Sequence, residues 1–135
     1  MNLREEKMSD EFKKYHVENS RLKAVFHEFT APDKGGPHCH PFRFKSFVLQ
    51  GSYVEKVYVI NPNGLFVSFS IERKEGDSFY IEADHIHEIV SIPEGVCYTM
   101  IRPEKKVKES KFWKFEGNKI FHRQWNETEF KLYEI

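Results

Sequence analysis

The sequence carries no surplus of either charge. Its 135 residues hold 21 Lys+Arg against 21 Asp+Glu, so no basic field points to nucleic acid, and local lysine groups such as "EKKVKESK" read as a solvated loop. Long apolar runs are missing as well. Nothing approaches the roughly 18 residues of a membrane span, and the amino terminus, "MNLREEKMSDEFKKYH", is too polar for a secretory signal. The expectation is a cytoplasmic protein with neither a nucleic-acid nor a membrane partner. Cysteine is scarce: Cys39 and Cys97 form no metal-ligand or redox spacing, and a reducing compartment argues against a disulfide. No GxSxG, P-loop or GxGxxG run occurs, which removes those signatures of nucleophilic catalysis and phosphate or dinucleotide binding.

What the chain does have is aromatic side chains and strand patterning. Thirteen Phe, six Tyr and two Trp supply large buried areas, and the length suits one domain with one core. Residues 1–19 are polar and weakly periodic, and are expected to form an arm or a short helix. Residues 20–135 read as a β domain. "RLKAVFHEF" alternates in part, "FKSFVLQGSYVEKVYVI" reads as two strands broken at Gly51, and "NPNG" supplies a turn before "LFVSFSIE". "SFYIE", "ADHIHEIVSI" and "VCYTMI" follow, and "KFWKFEGNKIFHRQW" suggests a last hairpin turning at Gly117-Asn118. About eight or nine short strands, with turn signals roughly every 8–12 residues, predict an all-β sandwich or closed barrel.

Two histidine pairs stand out. Side chains two apart on a strand share a face, so His38 and His40 in "GGPHCHPF" project together, while Cys39 faces away from both. A second pair with the same spacing, His85 and His87, lies in "EADHIHEIV". Neutral imidazole is a common ligand of Fe, Zn, Ni and Mn. His38, His40 and His87 are the three candidate ligands of one divalent metal ion, with His85 in reserve. His16, His27 and His122 fall outside the pattern.

These residues carry a resemblance to the cupins, small β-barrels of the jelly-roll type. The first cupin motif runs HxH, three or four residues, Glu, six residues, Gly. Here His38-Cys39-His40 is followed by three residues, Phe44, six residues and Gly51. The second motif runs Gly, five residues, Pro-x-Gly, two residues, His, three residues, Asn. Here Gly76 is followed at the same spacing by Glu82-Ala83-Asp84, His87 and Ser91. The stretch His38–Glu55 further resembles the pattern HxHPxxFxSxxLxGxYxE of a group of small bacterial and phage cupins, and the likeness covers roughly residues 22 to 130.

Departures from the motif bear on chemistry. Phe44 stands where the first motif supplies a carboxylate, so the ligand set implied is three neutral histidines, similar to the three-histidine iron sites of thiol dioxygenases among cupins. Such a set leaves a metal its full charge, suited to a substrate that chelates as an anion. Glu55 reads equally as a carboxylate ligand from the next strand or as a surface residue. Tyr53 shares its face and reads as a core tyrosine or a hydrogen-bond donor to ligand; Ser46, with the parity of His40, lines the pocket or packs. Asp77 reads as turn chemistry, and Arg43 as solvated. The resemblance implies a metal-dependent enzyme on a small organic molecule, a dioxygenase ahead of an isomerase. The alternatives are a non-catalytic small-ligand binder, or a metal-independent sugar epimerase or isomerase using His85 or Tyr53 as base. Pairing of cupin sheets and the aromatic carboxy-terminal segment imply a homodimer.

Overall fold

The computed structural model describes residues 2–18 and 23–134. Every regular element among them is a strand, and the sheets are antiparallel throughout. The organising element is β4 (Phe44–Ile60), a strand of 17 residues that belongs to both sheets. Its first half pairs with β6 (Ser78–Ile81) on one side and β8 (Cys97–Pro103) on the other. Beyond β8 the first sheet continues through β3 (Lys23–Phe29), β2 (Phe12–Glu18) and β1 (Asn2–Lys7). The second half of β4 pairs with β5 (Phe66–Lys74) and β7 (Ile86–Ser91). The carboxy-terminal strands β9 (Lys111–Glu116), β10 (Lys119–Gln124) and β11 (Lys131–Leu132) form a meander. Single bridges at His38 tie that meander to β7.

Gly51 is where β4 changes sheets. It has φ 80°, and a Cβ there would lie 2.3 Å from the Val96 carbonyl oxygen. Only glycine fits both the left-handed backbone and the close approach. The break read at Gly51 is therefore a change of partners within a continuous strand.

Alternation along the strands divides the interior. Val25, Phe44, Ile81 and Ile101 form one buried cluster, and Phe29, Val48, Tyr53, Ile89 and Cys97 a second. A third, with Cys39, Tyr58, Ile86, Trp113 and Ile120, packs the carboxy-terminal hairpin on the barrel. Cys39 thus faces away from its flanking histidines, and both cysteines are free and buried. Trp113 is core, whereas Trp125 is exposed and donates from Nε1 to Glu109 at 2.9 Å.

The amino-terminal segment corrects the expectation of an arm or short helix. Residues 2–7 and 12–18 are strands of the first sheet, and β2 pairs with β3 along its whole length, from Phe12↔Phe29 to Glu18↔Lys23. Its inner face carries Phe12, Lys14 and His16 in place of an apolar row, which erased the period-two signal. The boundary drawn at residue 20 falls, with residues 19–22, outside the described residues.

Gly51→Ala is expected to lower the free energy of urea unfolding by about 2 kcal/mol or more. Gly76→Ala is expected to cost about 1 kcal/mol, because its φ of 91° is equally positive but a Cβ there meets nothing within 4 Å. Equal costs would contradict the part assigned to the Val96 carbonyl.

Candidate metal centre

His38 and His87 meet through the backbone before they meet through side chains. The His38 N–H donates to the His87 carbonyl at 2.9 Å, and the His87 N–H donates back to His38 at 3.0 Å. Such a reciprocal pair places two side chains opposite each other on one face. The segment carrying His38 is fixed on its other side by Trp113 N–H to the Pro37 carbonyl, 2.8 Å, and Cys39 N–H to the Lys111 carbonyl, 3.0 Å. Asp33 clamps the preceding loop to β7, accepting from the Ile89 N–H at 2.7 Å and donating its own N–H to the Ile89 carbonyl. His40 follows on the same face as His38. The three rings make a nearly equilateral triangle, with centroids 5.2, 5.0 and 5.1 Å apart. One ring nitrogen of each lies within 4.8 Å of one from each of the others.

Hydrogen bonding sets the tautomers. The His38 Nδ1 faces the Gly36 carbonyl at 3.1 Å; a carbonyl only accepts, so Nδ1 carries the proton and Nε2 keeps its lone pair. The His87 Nδ1 faces the Glu55 Oε2 at 3.1 Å, with the same result. The freed Nε2 of His87 is buried without a partner, as is Nδ1 of His40. Orphaned buried nitrogens are costly. Two such nitrogens beside the free Nε2 of His38, on three convergent imidazoles, have the donor chemistry of a divalent-metal site. Burial, reinforced by His87, holds the His38 and His40 pKa values below the ordinary imidazole range, so neither needs to lose a proton before ligating.

Glu55 is fully buried. Its Oε1 accepts from Arg73 Nη2 at 3.1 Å and lies 3.2 Å from His85 Nε2, while Oε2 takes the His87 proton. Burial alone would raise its pKa, but hydrogen bonds from His85 and His87, with the Arg73 charge, outweigh that and hold it well below the carboxylate range. Glu55, His85 and His87 also satisfy metal-ligand proximity. The Arg73 guanidinium on the same carboxylate makes that group an ion-pair network, because a second cation there would be repelled.

Ser46 is buried on the inner face of β4, opposite Phe79 and Ile101. Tyr53 is buried against Phe29, and burial followed by the Glu55 charge pushes its phenol far up. Phe44 presents a ring edge to His40 with centroids 4.9 Å apart. Arg43 points outward to Glu82 and Glu104, both at 2.8 Å, and Asp77 caps its turn through the Lys74 N–H. His122 stacks on Trp113, away from the triangle. Lys14 carried no assigned role in the sequence, and His27 fell outside the histidine pattern. His27 faces the barrel interior beside Phe12, Phe29 and Thr99. The alternation Phe12, Lys14, His16 was the available signal.

The architecture is the cupin fold. Hydroxypropylphosphonic acid epoxidase from S. wedmorenis superposes over 76% of this chain and 55% of its own, with TM-score 0.57 and 12% identity. Lactobacillus farciminis oxalate decarboxylase, in its formate complex, matches over 80% of this chain and 32% of its own, with TM-score 0.60 and 14% identity. An oxalate oxidase matches over 66% and 44%, with TM-score 0.52 and 16% identity. The chain thus matches from about a third to just over half of the length of these neighbours. No family model matches the sequence, and no curated protein does.

Burial depresses the pKa of His27 from 6.5 to about 3, with Lys14 and His16 adding to the effect. The unfolded chain therefore binds a proton below pH 6.5 that the folded chain refuses until about pH 3, and stability falls as pH drops through that window. Glu55, ionised in the fold, adds a further loss below its ordinary value of 4.5. His27→Gln is expected to flatten the pH dependence of urea unfolding between pH 6 and 4 by up to about 1.4 kcal/mol per pH unit. Parallel profiles would contradict this.

Proposed function

We propose that the chain is a metal-binding cupin acting on a small organic molecule, with His38, His40 and His87 holding one divalent ion of Fe, Zn, Ni or Mn. The observation that carries this reading is the triangle of imidazoles, two of which, His40 and His87, hold a buried nitrogen without a partner. Among the fold neighbours, HppE is described in its FeII form and Bacillus subtilis oxalate decarboxylase with Mn(II) centres. When bound, such an ion supplies Lewis acidity or a redox centre at positions open to a chelating substrate.

The protein's own part is orientation and exclusion. Glu55 fixes the ring of His87, as carboxylates behind metal-bound histidines do, and Gly36 fixes that of His38 through its carbonyl. Phe44 closes the side of the triangle where the cupin motif has a carboxylate, keeping the ligand set neutral. Ser46 packs in the barrel wall. An oxygen-dependent oxidation of the three-histidine kind is the preferred reaction class.

Ligand binding without turnover is the alternative on the same site. A metal-independent isomerase would draw on His85, whose imidazole is supported by Glu55. Among the described residues no helix is long and apolar enough to cross a membrane. Pairing with a second copy is supported by β5, which ends its sheet with Val67 and Phe69 exposed.

Protein purified without chelator is expected to contain close to one equivalent of metal by elemental analysis. His40→Ala should lose it while keeping a wild-type circular dichroism spectrum, and Glu55→Gln should bind it about 10–100-fold more weakly. Metal retained by His40→Ala would sink the assignment. Oxygen uptake or product with a candidate substrate separates the enzyme from the binder. For the dimer, Phe69→Lys is expected to shift the mass measured by light scattering from two chains to one; a wild-type monomer would refute it.

A further inference from the structure

The barrel holds a second chemical feature that the metal reading does not use. On β2, Phe12, Lys14 and His16 pair with Phe29, His27 and Val25 of β3. Phe29 and Val25 are core residues, and paired residues share a face, so Lys14 projects into the barrel beside His27. Among the described residues no carboxylate lies within ion-pair distance of Lys14. Glu6 stands opposite Lys14 on β1 and shares its face, but its carboxylate turns to His16 at 2.8 Å and Arg4 at 4.0 Å. Burial lowers the Lys14 pKa. An inward lysine without an ion-pair partner costs stability and is retained for a reason other than packing.

Lys14 lines a chamber of about 380 Å³ with His16, His27, Arg4, Lys23 and Phe42. Glu18 is its one lining carboxylate, against the basic side chains of Arg4, Lys14 and Lys23. That volume suits a small ligand. The chamber is separated from the histidine triangle by one ring: Phe42 in its wall packs on Phe44, which in turn packs on His40.

We propose that this chamber binds a small organic anion, with a carboxylate or phosphoryl head held by Lys14 and its other end presented to the three imidazoles. The substrate of the site is then an acid, anchored at one end by a fixed charge. Arg4 and Lys23 draw it in at the mouth, where attraction acts on the rate of capture. This rests on the metal reading for the role of the imidazoles but not for the anion contact itself.

Calorimetric titration of the whole protein, metal-replete and then chelated, tests it with malonate, methylphosphonate and neutral malonamide as probes. Either anion is expected to bind and malonamide not to; preference between malonate and methylphosphonate tells a carboxylate head from a phosphoryl one. Lys14→Met should weaken anion binding about tenfold or more, Lys14→Arg should retain most of it, and metal content should stay constant in both. Lys14→Met should also raise the melting temperature of the ligand-free protein, which a merely structural lysine would lower. Unchanged anion affinity in Lys14→Met, equal binding of malonamide, or failure of the variant to fold would overturn the proposal. Stoichiometric metal with no Lys14 effect would defeat this inference and leave the metal site standing. Lys14-dependent anion binding by a protein that never holds metal would do the reverse.

Discussion

Two backbone hydrogen bonds between His38 and His87 are the joint on which the site turns. They belong to residues far apart in the chain, one in an irregular segment after a glycine-rich loop and one on β7. The reciprocal exchange fixes the separation and direction of both side chains in one step. His40 then needs no scaffold of its own, because strand alternation returns it to the same face and sends Cys39 into the opposite core. The neighbouring anchors, Asp33 on β7 and Pro37 and Cys39 on β9, hold that segment from both sides. Positioning here is a property of sheet pairing, and the imidazoles inherit it.

Electrostatics completes what pairing begins. Buried histidine is tolerable when neutral, and burial keeps His38, His40 and His27 neutral in water near pH 7. Buried carboxylate is tolerable when surrounded by donors, and Glu55 has three. Arg73 neutralises that carboxylate and also stacks 3.8 Å over the Phe79 ring. The charge of Glu55 therefore serves to orient His87. The outcome is an uncharged set of three imidazoles in the same barrel as a basic chamber lined by Lys14.

The fold was legible because its turns and its histidines are local signals. Gly51, Gly64 and Gly117 all take positive φ, and each had marked a break in the strand pattern. The spacing of His38, His40 and His87 anticipated three rings that do converge. Glu55 was ambiguous because nothing along β4 reveals that Arg73 and His85 arrive beside it from other strands. The first two strands were missed for a stronger reason. A polar interior removes the apolar-inward row on which strand reading relies, so the same residues that make β2 chemically interesting made it look like an arm.

The central claim is one of geometry around a metal, and diffraction can address it directly. Crystals of protein purified without chelator, measured across the absorption edge of the metal found, should show an anomalous peak at about 2.0–2.2 Å from one nitrogen each of His38, His40 and His87. A peak lying between Glu55 and His85, or metal-replete crystals with no peak inside the histidine triangle, would contradict the account.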